Sequence, residues 1–162
     1  MKKLLFIFFT SMFYINAFSQ ISFEEGYFID TSNNRTDCLI KNLDWKNNPT
    51  EFEYQISESR PVQIHTIESI KEFGIDGSSR YIRSTVDMDR SSDRPDQFTR
   101  EKEPNFNKET IFLKFLVEGK ANLYAYVDKD LWRYFYDRND DNIEQLVYKV
   151  YVINKDQIRK NN

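Results

Sequence analysis

Residues 111–136, IFLKFLVEGKANLYAYVDKDLWRYFY, decide the fold class. Residues 111–117 are apolar on both faces and broken only by Lys114, the pattern of a central strand, with a helix as the competing assignment. Glu118-Gly119-Lys120 turns the chain and residues 123–127 return. Asp128-Lys129-Asp130 turns it again, and residues 131–136 return once more. Aromatic and β-branched residues at a period of two, joined by turns too short for crossover helices, make an antiparallel ribbon and exclude a parallel βαβ sheet.

The same reading extends upstream. Residues 26–30 form a strand, 31–34 a turn and 36–45 its return partner, until Lys46-Asn47-Asn48-Pro49 breaks the pattern. Phe52, Tyr54 and Ile56 alternate with Glu51, Glu53 and Gln55, giving one dry and one wet face. After a turn at 58–61, Val62, Ile64 and Thr66 continue, which places His65 opposite the apolar positions and toward solvent. Ile70 and Phe73, three apart with Gly74 after them, predict at most one short helical turn near 67–73. Residues 81–88 are a strand with Ile82, Ser84, Val86 and Met88 on one face. The stretch 90–108, with Pro95, Pro104, both charge signs and few apolar anchors, reads as a mobile loop. A polar loop at 137–142 precedes a last strand at 145–153. The expected fold is all-β, an antiparallel meander forming a small barrel or sandwich.

The start of the chain is an address. Lys2 and Lys3 precede an apolar run from Leu4 to Ile15, and Ala17-Phe18-Ser19 puts small residues where a signal peptidase reads. The run is about a dozen residues, too short to span a bilayer, and no later stretch is a transmembrane candidate. The expected organisation is a signal peptide over 1–19, a single β domain over 20–153 and a polar tail over 154–162. Export would place the chain in the periplasm, at the outer membrane or in the medium. Loss of Lys2 and Lys3 moves the net charge from −3 to about −5, which argues against nucleic-acid binding. The lone Cys38 excludes an intrachain disulfide, lies too far from the cleavage point for a lipid anchor, and sits in an apolar stretch as a buried, inert thiol. An eight-stranded membrane barrel is not expected, because the strands are short and interrupted by charge.

Catalytic and metal motifs test poorly. Around Gly119-Lys120 a phosphate loop lacks its first glycine, replaced by Lys114, and its Ser/Thr, replaced by Ala121, so no nucleoside-triphosphatase is expected. Asp137, Asn139 and Asp141 have the one-three-five spacing of a calcium loop, but Asn142 and Tyr148 occupy the glycine and bidentate-glutamate positions. One histidine and one cysteine cannot make a zinc site unaided, and His65 has no nucleophile elbow beside it. No cofactor is expected. Asn34-Arg35-Thr36 is a glycosylation sequon of the kind that occurs by chance.

The aromatic residues are the remaining signal. Tyr124 and Tyr126 share one face of their strand, and Trp132, Tyr134 and Tyr136 share one face of the next. Paired across the 128–130 turn they would form a single ladder, either core packing or a platform for glycan, peptide or partner protein.

Gly26-Tyr27-Phe28-Ile29-Asp30, the run from Cys38 through Asn42-Leu43-Asp44-Trp45 to Pro49, Lys71-Glu72-Phe73-Gly74-Ile75, Phe112-Leu113-Lys114-Phe115 through Lys120, and Gln145-Leu146-Val147-Tyr148-Lys149 resemble a group of uncharacterised exported proteins of Gram-negative bacteria. The resemblance covers roughly residues 25–155. In larger members such a domain precedes an outer-membrane β-barrel, so the resemblance implies that domain alone, the chain stopping after Asn162. It supplies no catalytic residues. A tRNA-modification GTPase name carried by some members conflicts with the missing phosphate loop and the export signal. The expectation is therefore a non-catalytic, envelope-associated β domain with an interaction or scaffolding role toward an envelope protein or glycan. A glycan- or peptide-binding module on the aromatic ladder is the alternative, and a small hydrolase built on His65 is the third.

Overall fold

The computed structural model describes residues 22–138, 142–154 and 157–161. The expected signal segment, Asn139 and Asp141 lie outside them. The described chain is all-β, with strands β1 (Phe23–Asp30), β2 (Arg35–Lys41), β3 (Glu51–Gln55), β4 (Gln63–Thr66), β5 (Ile70–Ile75), β6 (Ser79–Asp89), β7 (Phe106–Val117), β8 (Ala121–Asp128), β9 (Leu131–Arg138), β10 (Glu144–Gln145), β11 (Lys149–Asn154) and β12 (Gln157–Asn161). One 3-10 turn, Pro95–Gln97, is the only helical element among them. The expected helical turn near 67–73 is instead a tight turn at 67–69 followed by β5. The expected strand at 145–153 is divided into β10 and β11, and the tail contributes β12, paired with β11.

Ten strands form one antiparallel sheet in the order β10-β9-β8-β7-β6-β5-β1-β2-β3-β4. This order dictates a roll. In a flat sheet β4 and β5 would lie four strand spacings apart, about 19 Å. The link between them is Ile67-Glu68-Ser69, which reaches about 14 Å at full extension. It is not extended, since the Ser69 N–H donates to the Thr66 carbonyl at 3.1 Å. The five strands β1 to β5 therefore curl, bringing the end of β4 back to the start of β5. The interior of that curl is aromatic: Phe52 stacks on Phe73 at 4.2 Å, Phe73 on Tyr81 at 4.9 Å, and Phe28 meets Tyr54 edge-on at 5.0 Å. Ile40, Ile70 and Phe112 complete this core, with Trp45 packed against it.

The sheet buries its other face separately. Val86, Met88, Ile111, Leu113, Tyr124 and Phe135 form a second core under β6 to β9, with Ile82 and Ile143 against it. Phe112 points into the first core while Ile111 and Leu113 point into the second. That explains why 111–117 read as apolar on both faces: β7 is the wall between two cores.

Two features fit the curl together. Gly26 on β1 approaches β5 so closely that a Cβ there would stand 2.3 Å from the Gly74 carbonyl oxygen. The second is the 42–50 segment, which crosses to the far half. There β7 and β8 pair only as far as Lys114 with Ala125, then part. Asn48 fills the split. Its backbone N–H donates to the Val127 carbonyl at 2.8 Å, its Nδ2 donates to the carbonyls of Phe112 and Ala125 at 2.7 and 3.0 Å, and its Oδ1 accepts the Val127 N–H at 2.9 Å. Asn47 Oδ1 accepts the Lys129 N–H at 2.8 Å. The segment read as a strand breaker is thus a staple that stands in for missing sheet bonds.

Candidate functional site

The expected single ladder of Tyr124, Tyr126, Trp132, Tyr134 and Tyr136 is split between the two faces of the sheet. The β8–β9 connection is a two-residue turn, pairing Asp128 with Leu131, with Lys129 at a φ of +57°. Tyr124 consequently lies opposite Phe135, and Tyr126 opposite Arg133. Trp132, Tyr134 and Tyr136 lie opposite Val127, Ala125 and Leu123 on the other face. A three-residue turn would have put all five rings together; one residue changes the parity.

The two sets then have different lives. Tyr124 is core, 3% exposed, edge-on to Phe115 at 4.6 Å, its hydroxyl donating to Asp137 Oδ2 at 2.5 Å. Burial first, and then Asp137, push its pKa well above the tyrosine range. Tyr126 is half-buried, its hydroxyl accepting from Arg90 at 3.1 Å. On the opposite face, Trp132 is 54% and Tyr134 43% exposed, with Tyr136 half-buried beside them. The Leu146 N–H donates to the Tyr134 carbonyl at 2.8 Å, extending the sheet so that Leu146, itself 46% exposed, lies beside Tyr134. The Tyr136 hydroxyl donates to Glu144 at 3.2 Å. The result is an exposed strip of rings on an otherwise regular strand, whose intervening residues Arg133, Phe135 and Asp137 are buried.

A polar frame holds this strand from behind. Arg133, 5% exposed, donates to the carbonyls of Asp89 (2.7 Å), Trp132 (2.8 Å) and Ser91, and to the Asp93 carboxylate at 2.8 Å. Asp89 accepts from Ser91 and Asn105, and the buried Lys149 donates to the Glu103 carbonyl at 2.6 Å. The segment expected to be mobile at 90–108 is thus tied down at both ends, and Val152 N–H to Thr99 carbonyl at 2.9 Å ties its middle. Apolar anchors were the wrong thing to count there, since buried charge and backbone carbonyls do the fastening. Arg90 adds a bidentate pair with Glu109 at 2.7 and 2.8 Å, which is the main reason its pKa rises further.

Among the described residues, neither catalytic nor metal candidates assemble. His65 pairs with Phe52 and so faces inward, contrary to the expectation, while Ile64 is 57% exposed. Its ring stacks on Tyr54 at 4.6 Å and 3°, meets Phe28 at 4.6 Å, and has Nδ1 3.2 Å from the Ser69 hydroxyl. Cys38 is buried, and burial followed by Asp37 raises its thiol to about 11. Asp137 accepts from Tyr124 and from Asn122 at 3.0 Å, so its oxygens are engaged. Among the described residues no three His, Cys, Asp or Glu side chains gather as a metal site. No described helix is long and apolar enough to cross a membrane.

Burial depresses His65 below its usual 6.5, only partly offset by Asp30. The folded state thus binds its proton less readily than the unfolded chain, so stability falls as pH drops through the unfolded-state value. Wild type should lose more stability than His65→Leu between about pH 8 and pH 5 in urea titrations. Equal losses would contradict the packed ring.

No family model, curated protein or solved structure matches the chain.

Proposed function

We propose that the chain is a non-catalytic, exported domain of the cell envelope that binds through the Trp132–Tyr134–Tyr136 face of β9 and Leu146. The observation that carries this reading is the exposure of two large rings and a leucine in one strip, on a strand whose other face is locked by Arg133. Rings on an exposed strand face offer large contact area with little side-chain entropy to lose, which suits an envelope protein or a glycan. The residues read as an export signal over 1–19, and the resemblance to exported Gram-negative proteins, support the compartment. A hydrolase built on His65 is disfavoured by the rings of Tyr54 and Phe28 packed against the imidazole.

The test is expression of the whole chain in a Gram-negative host, with fractionation. The processed protein should sediment with the envelope. The double variant Trp132→Ala/Tyr134→Ala, folded by circular dichroism, should move to the soluble fraction, with at least about tenfold weaker association for removal of two central rings. Co-sedimentation with purified cell-wall sacculi would identify the glycan form of this reading. Unchanged partitioning of the double variant, or retention of an unprocessed chain in the cytoplasm, would refute it.

A further inference from the structure

A second feature lies on the far side of β10 from the aromatic strip. Strand β6 runs from Ser79 to Asp89, but β5 is paired with it only over 79–82. Its other side is paired with β7 along 81–89. From Arg83 onward, therefore, no strand is paired with that edge of β6 among the described residues. Strand β10 ends the sheet, paired only with β9, so its outer edge is also unpaired. The curl of β6 to β10 brings these two edges toward each other, and at one end the Gln145 side chain accepts the Asp89 N–H at 2.8 Å. Between them lies a groove of about 760 Å³ lined by Ser84, Val86, Asp87, Ile143, Glu144 and Val147 among others.

The direction of the free groups follows from two observations. Backbone groups alternate sides along a strand. Asp89 turns its N–H to Gln145 and away from β7, so Arg83, Thr85 and Asp87 turn theirs the same way. Independently, the Phe112 carbonyl points to the β8 side, where Asn48 takes it. Odd-numbered residues of β7 therefore face β6, and their partners there, Ser84, Val86 and Met88, are the even ones. Both routes turn the N–H and C=O of Thr85 and Asp87 into the groove, and those of Arg83 to the same side just beyond its lining. The edge carries no proline and its pairing with β7 shows no bulge, two of the usual devices that blunt an edge.

We propose that this groove is a strand-accepting slot, and that its occupant is an extended peptide segment of a partner protein. Only another extended backbone returns both a donor and an acceptor at every second residue, at the spacing of β6. Its side chains would alternate between the apolar floor, Val86 and Ile143, and the rim, where Asp87, Lys108 and Glu144 carry both signs of charge. The occupant is accordingly a β-branched, alternating and nearly neutral segment. This site abuts the β9 ring strip, with Glu144 touching both, but it uses the β6 edge and is tested without the rings.

The experiment is amide hydrogen exchange by NMR on the labelled, processed chain. The probe is a blocked hexapeptide of alternating threonine and valine, with a version N-methylated at alternate residues as control. In the free chain the amides of Arg83, Thr85 and Asp87 should exchange fast while those of Ser84 and Val86 are slow. Millimolar peptide should slow the three at least tenfold, and the N-methylated peptide should not. Thr85→Pro removes one groove-facing N–H and should weaken peptide protection of Arg83 and Asp87; if it fails to fold, the N-methylated control decides. Trp132→Ala/Tyr134→Ala should leave the protection unchanged. The proposal is overturned by slow exchange of all three in the free chain, by no protection with the peptide, or by equal protection from both peptides. Protection that grows with protein concentration alone would assign the slot to a second copy and also overturn it.

Discussion

Gly26→Ala is expected to cost about 3 kcal/mol or more of folding stability, a large share of what a domain of this size has. The added methyl would sit 2.3 Å from the Gly74 carbonyl oxygen and 3.2 Å from the Ile75 Cα. Both are backbone atoms of the paired strand, so neither can rotate aside. Relief requires β1 and β5 to separate, and that pair joins the β1–β4 meander to the rest of the sheet. Gly74→Ala should cost less. Its methyl meets the Ser79 carbonyl at 2.9 Å, but its other neighbour at 3.3 Å is the Tyr27 ring, a side chain that can yield. Gly119→Ala, with nothing nearer than 3.7 Å, should be close to neutral. Urea midpoints for the three variants give the ranking directly. Gly26→Ala as stable as Gly119→Ala would mean that β1 and β5 do not approach as described.

Asn48→Ala is the second large effect, expected at about 3 kcal/mol. The side chain makes three hydrogen bonds to the parted strands, with Phe112, Ala125 and Val127. Removing it leaves three backbone groups unpaired in a half-buried seam, and an unmet buried group costs about 1–3 kcal/mol. Asn48→Asp discriminates this account from mere loss of volume. It keeps an oxygen for the Val127 N–H, but turns a second oxygen toward the carbonyls of Phe112 and Ala125, so it should be at least as damaging as alanine. Fast exchange of the Val127 and Lys129 amides in either variant would show that the seam has opened. An aspartate variant of wild-type stability would refute the staple.

Much of the strand content was legible because alternation records burial directly. The β7–β8–β9 ribbon reads from residues 111–136 alone, and Val86 and Met88 fall in the core on the face their spacing predicted. Cys38 is buried where its apolar neighbours placed it. What failed was phase. Val62, Ile64 and Thr66 alternate with His65, and hydropathy put the histidine outside; pairing of Phe52 with His65 put it inside. Ile70 and Phe73 have helical spacing, but both lie in a strand that bends as it closes the curl. The rings of β8 and β9 were assigned to one face by a turn taken as three residues long, and a turn of two separates them. For His65 and the rings the period was right and the face was not, whereas for Ile70 and Phe73 the period itself differed.

By itself, then, the sequence determined that this chain is all-β and antiparallel, where most of its strands lie, and which residue types must be buried. Those are local matters of pleat, propensity and turn chemistry. The tertiary structure alone decided that the sheet rolls into two cores, that Trp132 and Tyr134 are exposed while Tyr124 is not, and that β6 leaves an edge unpaired. The reason is geometric. A period of two is blind to which face is inward, and that choice depends on strand register and connection length, where a single residue reverses every side chain.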